Sequence, residues 1–342
     1  MNILTKPEVL KKLRKFHKHV TTTGKMGSFV RGIDINFNNA CNFKCAHCFT
    51  KSSENVHPKD ELPIDTIANL ADQAHELGIF EFDLQGGELL LRPDKLINVI
   101  RAIQPERFYL YLTTNGYYLD KSMAKRLARA GVSRVSVSID SMKASSHDSF
   151  RGKHGAHKRA LKALEFVKSV GIEPYLNVTV GHYNIFESDF ERLLAYSKSK
   201  GYSTLINVAV PSGCWQDMDN VMLDETDQEY LKQLRKKYTN TLRDIWNPFD
   251  KSREAVLGCN CVNRTYITPL GDVLVCPYVH IKIGNVFESS LADIIDYGFS
   301  IPQFRDYSPL CLAGEDKEFV SRFMTAKGMS VFNPLDARKT FN

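Results

Sequence analysis

From residue 33 to about residue 210, short apolar runs alternate with longer amphipathic stretches. The short runs are 33–37, 80–84, 108–113, 133–139, 173–180 and 204–210. They are too short for stable helices and rich in Ile, Val, Leu and Phe, so they predict strands. Between them, 64–77, 93–103, 121–130, 156–170 and 186–200 carry apolar residues at helical spacing, and 225–238 follows the sixth run. Gly78, Gly131, Gly171 and Gly201 stand just past four of these stretches, where a left-handed C-cap is expected. Strand–helix units in series predict a parallel sheet with right-handed crossovers. Periodicity does not choose between an open doubly wound sheet and a barrel. Either way, the chemistry belongs where the loops gather, at the C-terminal ends of the strands.

The flanks read differently. Residues 6–20 form a basic amphipathic pattern: Val9, Leu10, Leu13 and Phe16 share a face, with Lys11, Lys12, Arg14, Lys15 and Lys18 around the rest. This predicts a helix packed on the main domain with a solvated basic face. Residues 243–257 are polar and irregular and read as a linker. From Gly258 the chain turns to cysteine, glycine and short β-like runs at 264–268 and 272–275, then short helices at 289–297 and 316–326. The expected divisions are 1–29, 30–242, 243–257 and 258–342.

Composition narrows the class. The 342 residues are 43% hydrophobic and 25% charged, ordinary for a soluble chain. No run of about 18 apolar residues predicts a membrane span, and the N-terminus lacks a secretory apolar core. The net charge of +6 comes with no dense basic block outside the first helix, so a nucleic-acid partner is not expected. Eight cysteines without a secretory signal point to a reducing, cytoplasmic setting and to metal or redox work, not disulfides.

Seven of those cysteines fall into two groups. Cys41, Cys45 and Cys48 form C-x3-C-x2-C directly behind the first strand. Three thiolates so spaced can hold three corners of a cubane iron–sulfur cluster and leave one iron open. Zinc normally takes four ligands, and no second C-x2-C pair follows nearby. Past the second strand comes Gln85-Gly86-Gly87-Glu88; past the third, Thr113-Thr114-Asn115-Gly116. The fourth carries Ser136, Ser138 and Asp140 at alternate positions, on one face. His147 to Gly152 includes Arg151, whose planar fork suits a carboxylate.

Taken together, these motifs resemble the radical S-adenosylmethionine (radical SAM) superfamily. The resemblance implies a partial (β/α)6 TIM-like barrel and SAM on the open iron. It places Gly86, Gly87 and Glu88 at the SAM amino group and Asn115 along the SAM pocket. Ser138 and Asp140 would meet the ribose, Arg151 the carboxylate and Asn177 the adenine. For Asp140 an N-cap is the competing role. An electron donor such as a flavodoxin or ferredoxin is implied as partner.

The second group is Cys259, Cys261, Cys276 and Cys311. Cys261-x9-Gly271-x4-Cys276 with a hairpin reading resembles the opening of SPASM/Twitch extensions, which implies a second [4Fe–4S] cluster. Four cysteines would saturate it, pointing to electron transfer, while four-cysteine zinc stays open as the alternative. Cys214, after the sixth strand, has three open roles: an inert buried thiol, a cluster ligand, or a hydrogen-atom donor in an epimerisation. The expected activity is reductive SAM cleavage and hydrogen abstraction, for epimerisation or dehydrogenation. The few residues before the first strand, too few for a separate recognition domain, point to a sugar or aminocyclitol substrate, with peptide modification as the alternative. A non-catalytic electron-transfer or zinc scaffold protein is the remaining class.

Overall fold

The computed structural model describes residues 5–54 and 61–341. Strands β1 (Gly32–Asn36), β2 (Glu81–Gln85), β3 (Tyr109–Thr114), β4 (Arg134–Ser138), β5 (Glu173–Val180) and β6 (Ser203–Val208) pair in order, all parallel. Helices α1 (Pro7–Thr23), α2 (Ile64–Glu76), α3 (Pro93–Ile103), α4 (Lys121–Arg129), α5 (Ala144–Arg151), α6 (Ala156–Ser169), α7 (Ser188–Lys200) and α8 (Glu225–Lys237) precede or connect them. The expected elements are all present within a few residues. Only α5 was read as a motif and not as a helix.

Each strand alternates as a two-sided sheet must. Ile33, Ile35, Phe82, Leu84, Leu110, Leu112, Val135 and Val137 are fully buried in the layer against the helices. Their neighbours Asp34, Asp83, Tyr111, Arg134, Ser136 and Ser138 fall on the opposite, inner face, so the barrel is lined with polar and charged side chains.

The barrel does not stop at six strands. β7 (Thr241–Leu242) adds in parallel to β6, and β8 (Arg264–Ile267) adds in parallel to β1. β8 also turns back through Gly271 into β9 (Asp272–Leu274), followed by β10 (Ile281–Asn285) and β11 (Leu335–Asp336). The cysteine-rich tail is therefore an extension of the barrel sheet. β7 escaped the sequence reading because two residues show no alternation; β8 stands within the expected run 264–268, and what its hairpin reading missed is the pairing with β1.

β7 and β8 are not hydrogen-bonded to each other. Ion pairs cover the seam between them. Asp244, just past β7, accepts from Arg31 at 3.0 Å and from Arg264 at 3.3 Å. Arg264 also donates to Asp34 at 2.6 Å and lies 3.3 Å from Asp83. The segment expected to be a linker is irregular but packed: Ile245, Trp246 and Leu257 are buried.

α1 docks at the N-terminal ends of the strands, and two of its lysines correct the expected solvated basic face. Lys6 donates to the carbonyls of Phe108 and Gly131 and to Ser133 Oγ, all within 3.0 Å. Lys12 donates to the Ile79 carbonyl and lies over the Phe108 ring. Burial lowers both ammonium groups to about 8. Among the described residues, no helix is long and apolar enough to cross a membrane.

Candidate active site

All seven grouped cysteines line one cavity of about 240 Å³ at the C-terminal ends of the strands. Two loops far apart in sequence meet there because β1 and β8 are neighbours in the sheet.

The first loop follows β1. Cys41 Sγ accepts from the Phe43 N–H at 3.4 Å, and Cys48 Sγ from the Ser52 N–H at 3.4 Å. Burial pushes the Cys41 thiol up to about 12 and the Cys45 thiol up to about 11. His47, between Cys45 and Cys48, stacks on Phe150 at 4.5 Å, and burial holds its imidazole neutral, with a pKa of about 3.

Neighbouring loops grip this one through backbone contact. A Cβ on Gly87 would lie 2.1 Å from the Ala40 carbonyl oxygen, and one on Gly213 would lie 2.3 Å from that of Cys48. Ordinary contact is 3.4–4 Å, so only glycine fits. Gly87→Ala is expected to push the 38–40 backbone aside and misplace Cys41. A displacement near 1 Å costs roughly hundredfold in turnover. Single-turnover 5′-deoxyadenosine formation measures this, and wild-type rates would refute the contact as functional.

Glu88 is engaged within the protein. Its carboxylate does not line the cavity. It accepts from Leu90 N–H at 3.0 Å, Thr114 Oγ1 at 2.7 Å and Asn115 N–H at 2.8 Å. Glu88 thus ties the loop after β2 to the loop after β3, and Gly86 and Gly87 are what face the cavity. Asn115 lines it as expected and donates to Asn42 Oδ1 at 2.9 Å.

Asp140 is engaged in the same way. It is expected at a ribose, but its oxygens are engaged within the protein. Oδ2 accepts from Arg151 Nε at 2.6 Å; Oδ1 accepts from Arg151 at 3.1 Å and from Thr179 N–H at 3.2 Å. Burial raises the carboxyl, and Arg151, by charge and hydrogen bond, leads what more than offsets it, so it sits below the usual range. The bidentate pair fixes the Arg151 guanidinium, and Arg151 lines the cavity beside Cys45. Ser138 and Asn177 also line it, and Asn177 Oδ1 accepts from Asn207 at 2.6 Å.

Cys259, Cys261, Cys276 and Cys311 come together across the cavity, with Cys259 and Cys261 sulfurs 3.6 Å apart. The hydrogen bond from Cys261 lowers the Cys259 thiol to about 7, and burial above all raises Cys311. Behind them Arg243 forms a two-pronged pair with Glu315, whose Oε2 also accepts from Cys311 N–H. Among the described residues, the group of three metal-ligating side chains with donor atoms within 4.8 Å of one another is His182, Asp224 and Asp227. Neither cysteine set is drawn that tightly. A single tetrahedral zinc, with bonds of about 2.3 Å, holds its sulfurs roughly 4 Å apart. In the second set the 3.6 Å between Cys259 and Cys261 matches a single-ion spacing, so sulfur spacing does not set a cluster apart from zinc there.

Cys214, with its three open roles, lies apart from both sets. It is not among the residues lining the cavity. Its N–H donates to the Cys48 carbonyl at 3.0 Å, so it packs behind the first loop, and its neighbour Trp215 takes the cavity wall. This placement supports neither a donor role toward the cavity nor a place in the second set.

Several lining residues were missed. Asn207 alternates with apolar neighbours on β6 and was legible. Tyr278, Arg243 and the inner-face Asp34 and Asp83 carried no motif. Phe49, next to Cys48, meets Tyr278, two residues past Cys276, edge-on at 5.2 Å, so aromatic rings span the gap between the two sets.

The sequence model of the radical SAM superfamily matches residues 35–196, and that of SPASM, an iron–sulfur cluster-binding domain, matches 259–313. The chain is 26% identical over 290 residues to an AdoMet-dependent heme synthase of Methanosarcina barkeri, covering 78% of this chain and 82% of that protein. It is 24% identical over 305 residues to AlbA, the antilisterial bacteriocin subtilosin biosynthesis protein of Bacillus subtilis, covering 86% and 66%. Among solved structures, SuiB of Streptococcus suis bound to precursor peptide SuiA superposes with a TM-score of 0.62 at 18% identity, covering 84% of this chain and 69% of that one, a likeness of fold.

Proposed function

We infer, from the premise that this chain is a radical SAM enzyme with a C-terminal SPASM domain, that it oxidises a substrate C–H group held between its two cysteine sets. The observation that carries this reading is the single cavity lined by all seven cysteines. The two domains imply two [4Fe–4S] clusters and SAM. When bound, they supply a 5′-deoxyadenosyl radical that takes a hydrogen atom and an acceptor for the substrate's remaining electron.

The chain's own residues set the geometry. Cys41, Cys45 and Cys48 hold the first cluster and leave one corner free. Gly86 and Gly87 let backbone approach SAM closely. Asp140 aims Arg151 at an anionic group, where its fork offers paired donors. Asn115, Ser138 and Asn177 offer further hydrogen bonds. Cys259, Cys261, Cys276 and Cys311 complete the second cluster, whose saturated ligand set suits electron transfer. Trp215 and the buried strands wall off the reacting centre from water. With Cys214 behind the loop, dehydrogenation is favoured over epimerisation.

For the substrate, we favour a peptide side chain. The likeness to AlbA and to peptide-bound SuiB supports it. The polar wall of Asn177, Thr179 and Asn207 is the observation that favours the second reading, a sugar or aminocyclitol. Anaerobic assays of the reconstituted enzyme with panels of both classes decide between them. A product lighter by two hydrogen atoms, formed one-for-one with 5′-deoxyadenosine, is expected from the peptide panel. An epimerised product, of unchanged mass in ordinary water and about one mass unit heavier in deuterated water, would overturn the oxidation.

A further inference from the structure

A second cavity, of about 260 Å³, lies at the N-terminal ends of the strands. Leu205, Arg243, Asp244 and Arg264 line both cavities and so form the partition between them. Leu13 and Phe16 of α1 line the second one, with Trp246 and Phe249 from the packed 243–257 segment.

Six arginines face this space: Arg31, Arg134, Arg235, Arg243, Arg253 and Arg264. The lining carboxylates are Glu81, Asp244 and Asp250. Arg243 is satisfied by Glu315, and Arg264 by Asp34, Asp83 and Asp244. Arg253 donates to the carbonyls of Arg235 and Thr241. Asp250 is engaged by Ser252 and by the N–H groups of Glu254 and Ala255.

Of the remaining three, Arg31 pairs with Asp244 at 3.0 Å and stands 3.8 Å from Glu81, Arg235 donates to the Ala255 and Asn247 carbonyls, and Arg134 has tyrosine rings as its neighbours. The Nε atoms of Arg31, Arg134 and Arg235 are each buried without a hydrogen-bond partner. Arg31 and Arg235 are 6% and 3% exposed. The Arg134 guanidinium lies 3.5 Å from the Tyr111 ring centroid and 4.5 Å from that of Tyr175. Stacking covers its faces and leaves its N–H edge for a ligand in the plane. A buried N–H donor without an acceptor is costly, and an oxyanion in this cavity would supply acceptors to these Nε groups, Arg134 above all. The rings of Phe16, Phe80, Trp246 and Phe249 supply apolar wall for whatever carries that oxyanion.

We propose that this cavity binds a small carboxylate on a flat apolar body, with Arg31, Arg134 and Arg235 as its counter-charges. Benzoate is the probe, neutral benzamide its control, and inorganic phosphate the arm that removes the apolar body. Calorimetry and thermal unfolding of the reconstituted full chain should show saturable benzoate binding that raises Tm. Benzamide should do neither, and phosphate should bind at least roughly tenfold more weakly. Arg134→Met keeps an apolar stem between the two tyrosines and removes no hydrogen bond. It should fold and weaken benzoate roughly tenfold or more. Absence of benzoate binding, an equal effect of benzamide, phosphate binding as tight as benzoate, or undiminished binding in a folded Arg134→Met protein would each overturn the proposal. The benzoate–benzamide contrast in wild type decides the matter even if that variant does not fold.

Discussion

Replacing Cys41, Cys45 and Cys48 together with alanine will halve the iron and abolish SAM cleavage. The wild-type chain should reconstitute with about eight irons, from two four-iron clusters. The triple variant should retain about four, because the second cysteine set lies on the 259–311 segment and owes no ligand to the first loop. Its fold should persist: the three sulfurs are lightly bonded, at 3.4–3.6 Å, and two of the bonds come from N–H groups of the same loop. Iron and sulfide counts, with chromatography of 5′-deoxyadenosine after dithionite reduction, read both effects. Cleavage that survives the triple substitution refutes the assignment. Zinc in place of iron in wild type would return the chain to a scaffold role.

Arg264→Met should be the most damaging single change to stability. Arg264 is 6% exposed and is the cation shared by Asp34, Asp83 and Asp244. Asp34 and Asp83 stand in register on β1 and β2, and Gln85 Nε2 donates to both. Removing the arginine leaves buried carboxylates facing each other, a fault that costs about 3–5 kcal/mol. Urea unfolding measures it, and a loss under about 1 kcal/mol would show the network to be dispensable. Adding Asp34→Asn and Asp83→Asn should restore much of the loss. The pH dependence has a definite sign. Burial raises the Asp34 carboxyl to about 6, against its ordinary 3.8, while Arg264 opposes the rise. The native state therefore keeps a proton that the unfolded chain gives up. That contribution is complete below the ordinary value and lost as pH rises through the folded one. Without Arg264 the folded value climbs further, so the deficit at about pH 8 should exceed that at about pH 5.

Local signals carried the sequence reading a long way. The six core strands and their helices were legible because each strand packs one apolar face against a helix layer, which leaves period-two and period-3.6 patterns. The first cysteine loop was legible because its ligands lie within eight residues. What escaped was non-local. Asp140 and Arg151 each looked ready for a ligand, and only the fold shows that they meet each other. Glu88 was expected at the SAM amino group, and only the fold shows that three donors from two loops enclose it. Cys214 stood in the expected loop, and only the fold shows that loop's close backbone approach to Cys48. The two-residue β7 and the ion-paired seam left no periodic trace.

The shared sheet has a consequence for how such a protein can be cut and recombined. Arg264–Ile267 is at once the first strand of the cysteine-rich tail and the outer neighbour of β1. Excising the tail at residue 258 would strip β1 of that partner and leave Gly32–Asn36 as a bare strand edge, a template for self-association. A chimera that swaps in another cluster-binding tail must therefore keep residues 264–267 with the barrel, or import a strand that matches β1 in register and brings its own arginine for Asp34. The junction between the two chemical functions and the junction between two separable pieces of protein fall at different residues.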